Sequence, residues 1–202
     1  MRRRLLIFDF DGTLADTFDL FLDIFDEAAA IHGFSPFDRA NLNHLRTLDA
    51  RRILEYHDVP MWKMPLILYT TRTLMERRIH DVRLFARIDH ALARLHDEGF
   101  VLALLTSNAR ANVLKVLGPA AASRFAHLEC GTSIFGKYPK LKKLLARSGF
   151  TAADTLFIGD EIRDAHAAIQ AGIAFGAVSW GYSAIGALYN AGARNGSSSR
   201  TN

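Results

Sequence analysis

The sequence predicts an α/β fold: a parallel sheet with helices on both faces, interrupted near its start by an inserted block of helices. Three observations carry this. Short runs of consecutive apolar residues, Leu5 to Phe8 and Phe100 to Leu105 among them, read as strands buried on both faces, because they do not alternate apolar with polar residues. From Ile88 onward such runs alternate with segments of helical periodicity. Between Asp16 and Arg87 only helical patterns occur.

The first strand stops at Asp9 and Asp11, and Gly12 lets the chain turn. Phe18, Phe21, Leu22, Phe25, Ala28 and Ala29 then recur at threes and fours, giving a helix from Asp16 to about Ile31 that ends at Gly33. Ser35-Pro36 reads as a second helix start, with Ser as N-cap and Pro at the first helical position. Asp49 can cap a short helix through Leu54 and Tyr56, and a long helix follows Pro65 to about Phe85. Beyond the insert, Ile88, Leu92 and Leu95 mark a helix closed by Gly99, and a strand runs into Thr106-Ser107-Asn108. A helix to Leu117, a strand at Phe125 to Glu129 and a helix at Tyr138 to Ser148 come next. Thr155 to Ile158 is a strand ending on Gly159-Asp160, Asp164 to Ala171 is helical, and Ala174 to Val178 is the last strand. The expected units are 1–14 with 88–190 as an α/β core, 15–87 as the insert, and 191–202 as a disordered tail, since the residues after Asn190 have no apolar period.

Composition narrows the function. Half of the 202 residues are apolar, enough for a substantial core. There is no apolar run of about 18 residues to span a membrane, and the Arg2-Arg3-Arg4 start leads into a run too soon acidic for a secretory signal, so the chain is expected to be cytoplasmic. The single cysteine, Cys130, excludes an internal disulfide framework and a multi-thiolate metal site. A net charge of +4 is spread along helices and not gathered into a basic block, which points to small anions and away from nucleic acid.

In a parallel sheet, ligands bind beyond the carboxyl ends of the strands. Asp9, Asp11, Thr106, Ser107, Asn108, Asp160 and Asp164 all fall at or just past such ends. At about 4 Å and an effective dielectric near 20, two carboxylates repel by roughly 4 kcal/mol, so the Asp9–Asp11 stretch demands a cation.

Asp9-Phe10-Asp11-Gly12-Thr13, a strand ending in Thr106-Ser107-Asn108, a lysine before a helix, and Gly159-Asp160-Glu161-Ile162-Arg163-Asp164 occur in that order. Together they resemble the motifs of the haloacid dehalogenase superfamily, specifically its phosphoglycolate phosphatase-like members, over residues 4 to 188. The resemblance implies a Rossmann-like core with the helical insert as a cap over the site. It implies that Asp9 is a nucleophile forming an aspartyl-phosphate, and that Asp11 protonates the leaving oxygen and then activates water. Thr106, with Ser107 and Asn108, would bind the phosphoryl group.

For the family's lysine there are two candidates, Lys137 and Lys140, because Pro139 does not directly follow Lys137; spacing to Asp160 favours Lys137. Asp9, Asp11 through its backbone carbonyl, Asp160 and Asp164 would hold a cation, and an all-oxygen set suits Mg²⁺. Cap residues Arg46, Lys63, Trp62 and Arg72 are candidate substrate contacts. The reading is a Mg²⁺-dependent hydrolase of a small phosphorylated metabolite, a monomer or homodimer. A phosphomutase on the same core and a non-catalytic phosphate-binding protein are the alternatives.

Overall fold

The computed structural model describes residues 4–131 and 136–192. Five parallel strands form the sheet: β1 (Leu5–Phe8), β4 (Val101–Leu105), β5 (Phe125–Glu129), β6 (Thr155–Gly159) and β7 (Ala174–Ala177), in the order β5-β4-β1-β6-β7. Leu5 faces Val101 on one side and Thr155 on the other, so β1 lies at the centre. The chain builds outward from β1 to β4 and β5, then crosses back to β6 and β7. The carboxyl end of β1 is therefore where the winding reverses, the usual place for a ligand crevice.

Successive side chains of a strand point to opposite faces. Leu6 and Phe8 join one core with Leu102, Leu104, Leu92 and Val113, beneath α5 (Ile88–Asp97) and α6 (Arg110–Ala122). Leu5 and Ile7 join the other with Ala103, Leu105, Leu141 and Phe157, beneath α7 (Lys137–Ser148) and α8 (Ile162–Ala171). β1 is fully buried because both faces are covered.

The insert has a core of its own, in which Leu22, Phe25, Phe37, Leu45, Val59, Met64 and Ile67 cluster. It comprises α1 (Phe18–His32), α2 (Leu42–Leu45), α3 (Ala50–Tyr56) and α4 (Met64–Arg78). Asp49 caps α3 as the sequence predicts, its side chain accepting from the Arg52 amide at 2.9 Å. The helix expected to start at Ser35-Pro36 is absent: residues 34–38 are irregular. Phe37 is buried in the cluster, and the Phe37 and Asp38 amides donate to Asp26 and His57, so tertiary contacts override the local signal. Asp38 supplies the cap instead, for a 3-10 turn at Arg39–Asn41.

The helices-only expectation for the insert also fails, at both of its ends. β2 (Ala15–Asp16) and β3 (Arg83–Leu84) pair antiparallel, and the Phe85 amide donates to the Leu14 carbonyl at 3.0 Å. The two chain connections between core and insert are thus tied side by side. α4 stops at Arg78, short of Phe85, because Ile79 and Val82 turn into the core.

Two further differences concern the helices of the core. α6 continues past Leu117 through a kink at Gly118, whose φ of 67° and following Pro119 explain the bend. A last helix, α9 (Ile185–Gly192), buries Leu188 and runs two residues into the segment expected to be a tail. The remainder of that expectation, from 193 onward, lies outside the described residues. Among the described residues, no helix is long and apolar enough to cross a membrane.

Leu92 is the only buried residue of α5 and seals it to the sheet far from the strand ends. Leu92→Ala is expected to lower stability by about 2–5 kcal/mol, read as a shift in the denaturant midpoint. A loss below about 0.5 kcal/mol would show that α5 docks by other means.

Candidate active site

β1 delivers Asp9 to the carboxyl edge of the sheet, where it is almost completely buried. β6 delivers Asp160, and the first turn of α8 delivers Asp164; both have no exposure. One carboxylate oxygen from each of the three lies within 4.8 Å of the others. α7 begins with Lys137, whose ammonium is 2.5 Å from Asp9 Oδ2 and 2.6 Å from Asp164 Oδ1. Lys140, one turn on, is exposed.

Two of the three carboxylates pair with the Lys137 ammonium and Asp160 does not, so the buried cluster carries more acid groups than the ammonium can balance. The acidities reflect this. Burial raises Asp9 to about 7 despite the pull of Lys137, with Asp164 pushing further upward. Burial likewise raises Asp160 well above the carboxylate range, with Glu161, Asp9 and Asp164 adding to it. Burial opposes the charge on Lys137, yet Asp164 and Asp9 together outweigh it and hold the ammonium protonated above its usual range. Asp9 Oδ2 is ion-paired to Lys137 and, among the described residues, has no other polar partner. A hard divalent cation fits this all-oxygen, over-negative cluster in charge and ligand chemistry.

Asp11 is placed differently. It is partly exposed at the floor of a cavity of about 540 Å³ between insert and core, outside the three-carboxylate cluster. The Asn108 amide donates to its two oxygens at 3.0 and 3.3 Å. Burial raises the pKa of Asp11 above the usual carboxylate value, and the Asn108 hydrogen bond restrains the rise. Asn108 is itself fixed, because its Oδ1 accepts from the Ala109 amide and from Asn112. Thr106 is fully buried; its hydroxyl accepts from the Asn108 amide at 3.0 Å and lies 3.5 Å from Asp11. Ser107 lines the same cavity.

The sequence reading brought these residues to one edge but missed what steadies them. After β7, the loop at 180–184 touches everything nearby. The Trp180 indole donates to the Thr13 carbonyl, and the Tyr182 amide donates to Asp160 Oδ2 at 2.8 Å. Thr13 takes the other Asp160 oxygen at 2.7 Å. The Tyr182 phenol lies 2.9 Å from the Thr17 hydroxyl, and its ring packs on Phe18 and Phe21.

Arg46 lines the cavity but is committed to the loop that packs on Asp160. Its guanidinium donates to the carbonyls of Gly181 and Tyr182 at 2.7 and 3.0 Å and lies over the Phe18 ring. Lys63 donates to the His32 carbonyl. The Trp180-Gly181-Tyr182 sequence after a strand end was the available signal for this loop.

Glycines make the close approach possible. A Cβ on Gly181 would strike the Asp160 side chain, and one on Gly12, whose φ is +73°, would strike both Asp160 and Tyr182. A Cβ on Gly159 would meet Asp164 Oδ2 at 2.5 Å. The acids are thus held by bare backbone as well as by hydrogen bonds.

Three buried carboxylates and a lysine thus meet at the winding reversal of a parallel sheet, beside a cavity lined by the helical insert, an arrangement that fits a protein handling small anions with a cation. Residues 6–178 match the haloacid dehalogenase-like hydrolases, and the chain belongs to that family. It is 32% identical to a phosphoglycolate phosphatase of Synechococcus elongatus, over 88% of this chain and 84% of that one. It is 27% identical to an N-acetylmuramic acid 6-phosphate phosphatase of Pseudomonas aeruginosa, over 90% and 84%. The fold is similar to that of a predicted phosphatase from Clostridium acetobutylicum, with a TM-score of 0.79, 21% identity and 95% and 92% coverage. The chain is an enzyme of the family's phosphatase kind, related to proteins that act on small phosphorylated metabolites.

Gly181→Ala is expected to push the Asp160 carboxylate aside and to lower divalent-cation affinity by roughly 10- to 100-fold, measured by calorimetry with Mg²⁺. Unchanged affinity in a folded variant would remove Asp160 from the cation site.

Proposed function

We propose that this protein is a Mg²⁺-dependent phosphomonoesterase working through an aspartyl-phosphate on Asp9. The observation that carries the reading is the pairing of a buried Asp9, held against Lys137, with a separate Asp11 that faces the cavity.

The ground state is a bound phosphomonoester with its phosphorus in line with an Asp9 oxygen. Asp9 attacks as the carboxylate; the new oxygen–phosphorus bond forms as the bond to the leaving oxygen breaks, and Asp11 gives that oxygen its proton. The Asp11 carboxylate then takes a proton from water, and the resulting hydroxide oxygen displaces phosphate from Asp9. Burial favours the protonated form of Asp11 needed first, while Asn108, bonded to both its oxygens, keeps the carboxyl aimed at the cavity. The asymmetry between the two acids supports this division: one lies against an ammonium, the other against a neutral amide.

Lys137 pulls Asp9 toward its anionic form against the burial that raises it, and adds positive charge beside the phosphoryl oxygens. Asp9, Asp160 and Asp164 would hold Mg²⁺, with Asp11 contributing its backbone carbonyl. When bound, the ion supplies positive charge to the phosphoryl group and relieves the repulsion among the acids. In this reading Ser107 and Asn108, which line the cavity, would receive the phosphoryl oxygens, with Thr106 buried behind them.

With p-nitrophenyl phosphate and Mg²⁺, steady release of p-nitrophenol is expected, abolished by EDTA and lowered at least about 10³-fold by Asp9→Asn. Equal turnover in Asp9→Asn and the parent would overturn the nucleophile assignment. Lys137→Ala is expected to lose at least about 10²-fold in kcat. Lys140→Ala should stay within about twofold, as a solvent-facing substitution. The reverse order would assign the phosphate-site lysine to Lys140.

A further inference from the structure

The cavity above Asp11 is larger and more apolar than a two-carbon acid requires. At about 540 Å³ it is the size of a cavity for a drug-sized ligand. Its floor is polar, formed by Asp11, Ser107 and Asn108. Its walls are not: Phe18 and Phe21 from α1, Leu48 before α3, Ile53 and Leu54 from α3, and Leu68 from α4 all line it, and each is only half-buried, leaving surface to cover. Ligand cavities of this size, mostly apolar with a few convergent polar groups at one end, bury the apolar part of their ligand and orient it by the polar end.

The charges around it point the same way. Three arginines are among the described lining residues. Arg46 is committed to the Gly181 and Tyr182 carbonyls, Arg163 pairs with Glu161, and Arg72 sits exposed on the rim one helical turn from Glu76. A leaving group bearing its own carboxylate would have to break the Arg46 bonds or remain at the rim. An uncharged hydrocarbon would meet the walls as they stand.

We infer that the preferred substrates are phosphomonoesters with a bulky, apolar, uncharged leaving group, alkyl or aryl, seated against the Phe18, Phe21 and Ile53 walls. The inference rests on the phosphomonoesterase reading for turnover. It concerns the leaving group only, so binding tests it separately.

Two measurements decide it. The first compares binding of hexylphosphonate and methylphosphonate to the Mg²⁺-loaded protein by calorimetry. Each methylene buried is worth about fourfold in affinity, and after the cost of ordering the chain we expect hexylphosphonate to bind at least about thirtyfold tighter. The second compares kcat/KM for ethyl, butyl and hexyl phosphate and for 2-phosphoglycolate. Efficiency should climb with chain length, and hexyl phosphate should exceed 2-phosphoglycolate.

Ile53→Lys, checked for folding by its melting curve, should cut the hexyl-over-methyl binding ratio by at least about tenfold, since the new charge must leave water when the chain enters. Equal binding of the two phosphonates, or an undiminished ratio in folded Ile53→Lys, overturns the inference. A preference for 2-phosphoglycolate over hexyl phosphate also overturns it and leaves the phosphatase reading standing. Absence of hydrolysis of every ester, with the phosphonate preference intact, overturns the phosphatase reading and supports the apolar chamber.

Discussion

The arrangement at the strand ends depends on one buried ammonium. Asp9, Asp160 and Asp164 arrive from β1, β6 and α8, and each would repel the others in a medium that screens poorly. Lys137 sits between Asp9 and Asp164 at 2.5 and 2.6 Å, and it is as buried as they are. Its placement needs α7 to start at that point, with Leu141 and Leu144 anchoring the helix in the second core. The helix is therefore held by apolar packing on one face and delivers a charge at its first residue. One ammonium does not neutralise three carboxylates, and the imbalance that remains would favour a bound cation.

Asp160 lacks that ammonium and is secured by different means. Thr13 donates to one of its oxygens and the Tyr182 amide to the other, and Gly12 and Gly181 let backbone approach where any side chain would collide. The same loop carries the Arg46 contacts to the insert and the Tyr182–Thr17 contact to its first connection. The insert and the acid thus share a support. A shift of the insert that broke the Arg46 bonds would loosen the loop on which the Asp160 geometry rests, which links the position of the helical block to the strength of the cation site.

Much of this was legible in the sequence, and the reason is physical. The central strands β1 and β4 are continuous apolar runs because both faces of the sheet are covered there, while the edge strand β5, with His127 and Glu129, gives a weaker signal; polar residues follow the ends of β1, β4 and β6, where a parallel sheet binds ligands. The insert was harder. Ser35-Pro36 has the residues of a helix start, but Phe37 is worth more inside the insert's core than at the head of a helix, and Asp38 took over the capping one turn later. The β2–β3 pair is too short for any periodicity to announce it. α9 has a buried Leu188 but so few core residues that its pattern merged with the polar residues that follow. In the site, Asp9, Thr106, Asp160 and Asp164 stood where the strands ended. The contact of Asn108 with Asp11 and the clasp of Arg46 on residues 181–182 join positions far apart in the chain, and nothing local encodes them.

The clasp also explains how one scaffold separates reaction from selection. The residues proposed to handle the phosphoryl group lie on the core, at or just past strand ends and in the first turns of α7 and α8. What surrounds the leaving group lies on the insert, in helices whose own core already satisfies them. Arg46, which as a free guanidinium at the cavity wall would favour an anionic leaving group, is turned instead to backbone carbonyls. Its charge is spent on holding the insert against the core. The wall that is left is mainly hydrocarbon, so the same contact that aligns the two parts takes one cation away from the cavity surface.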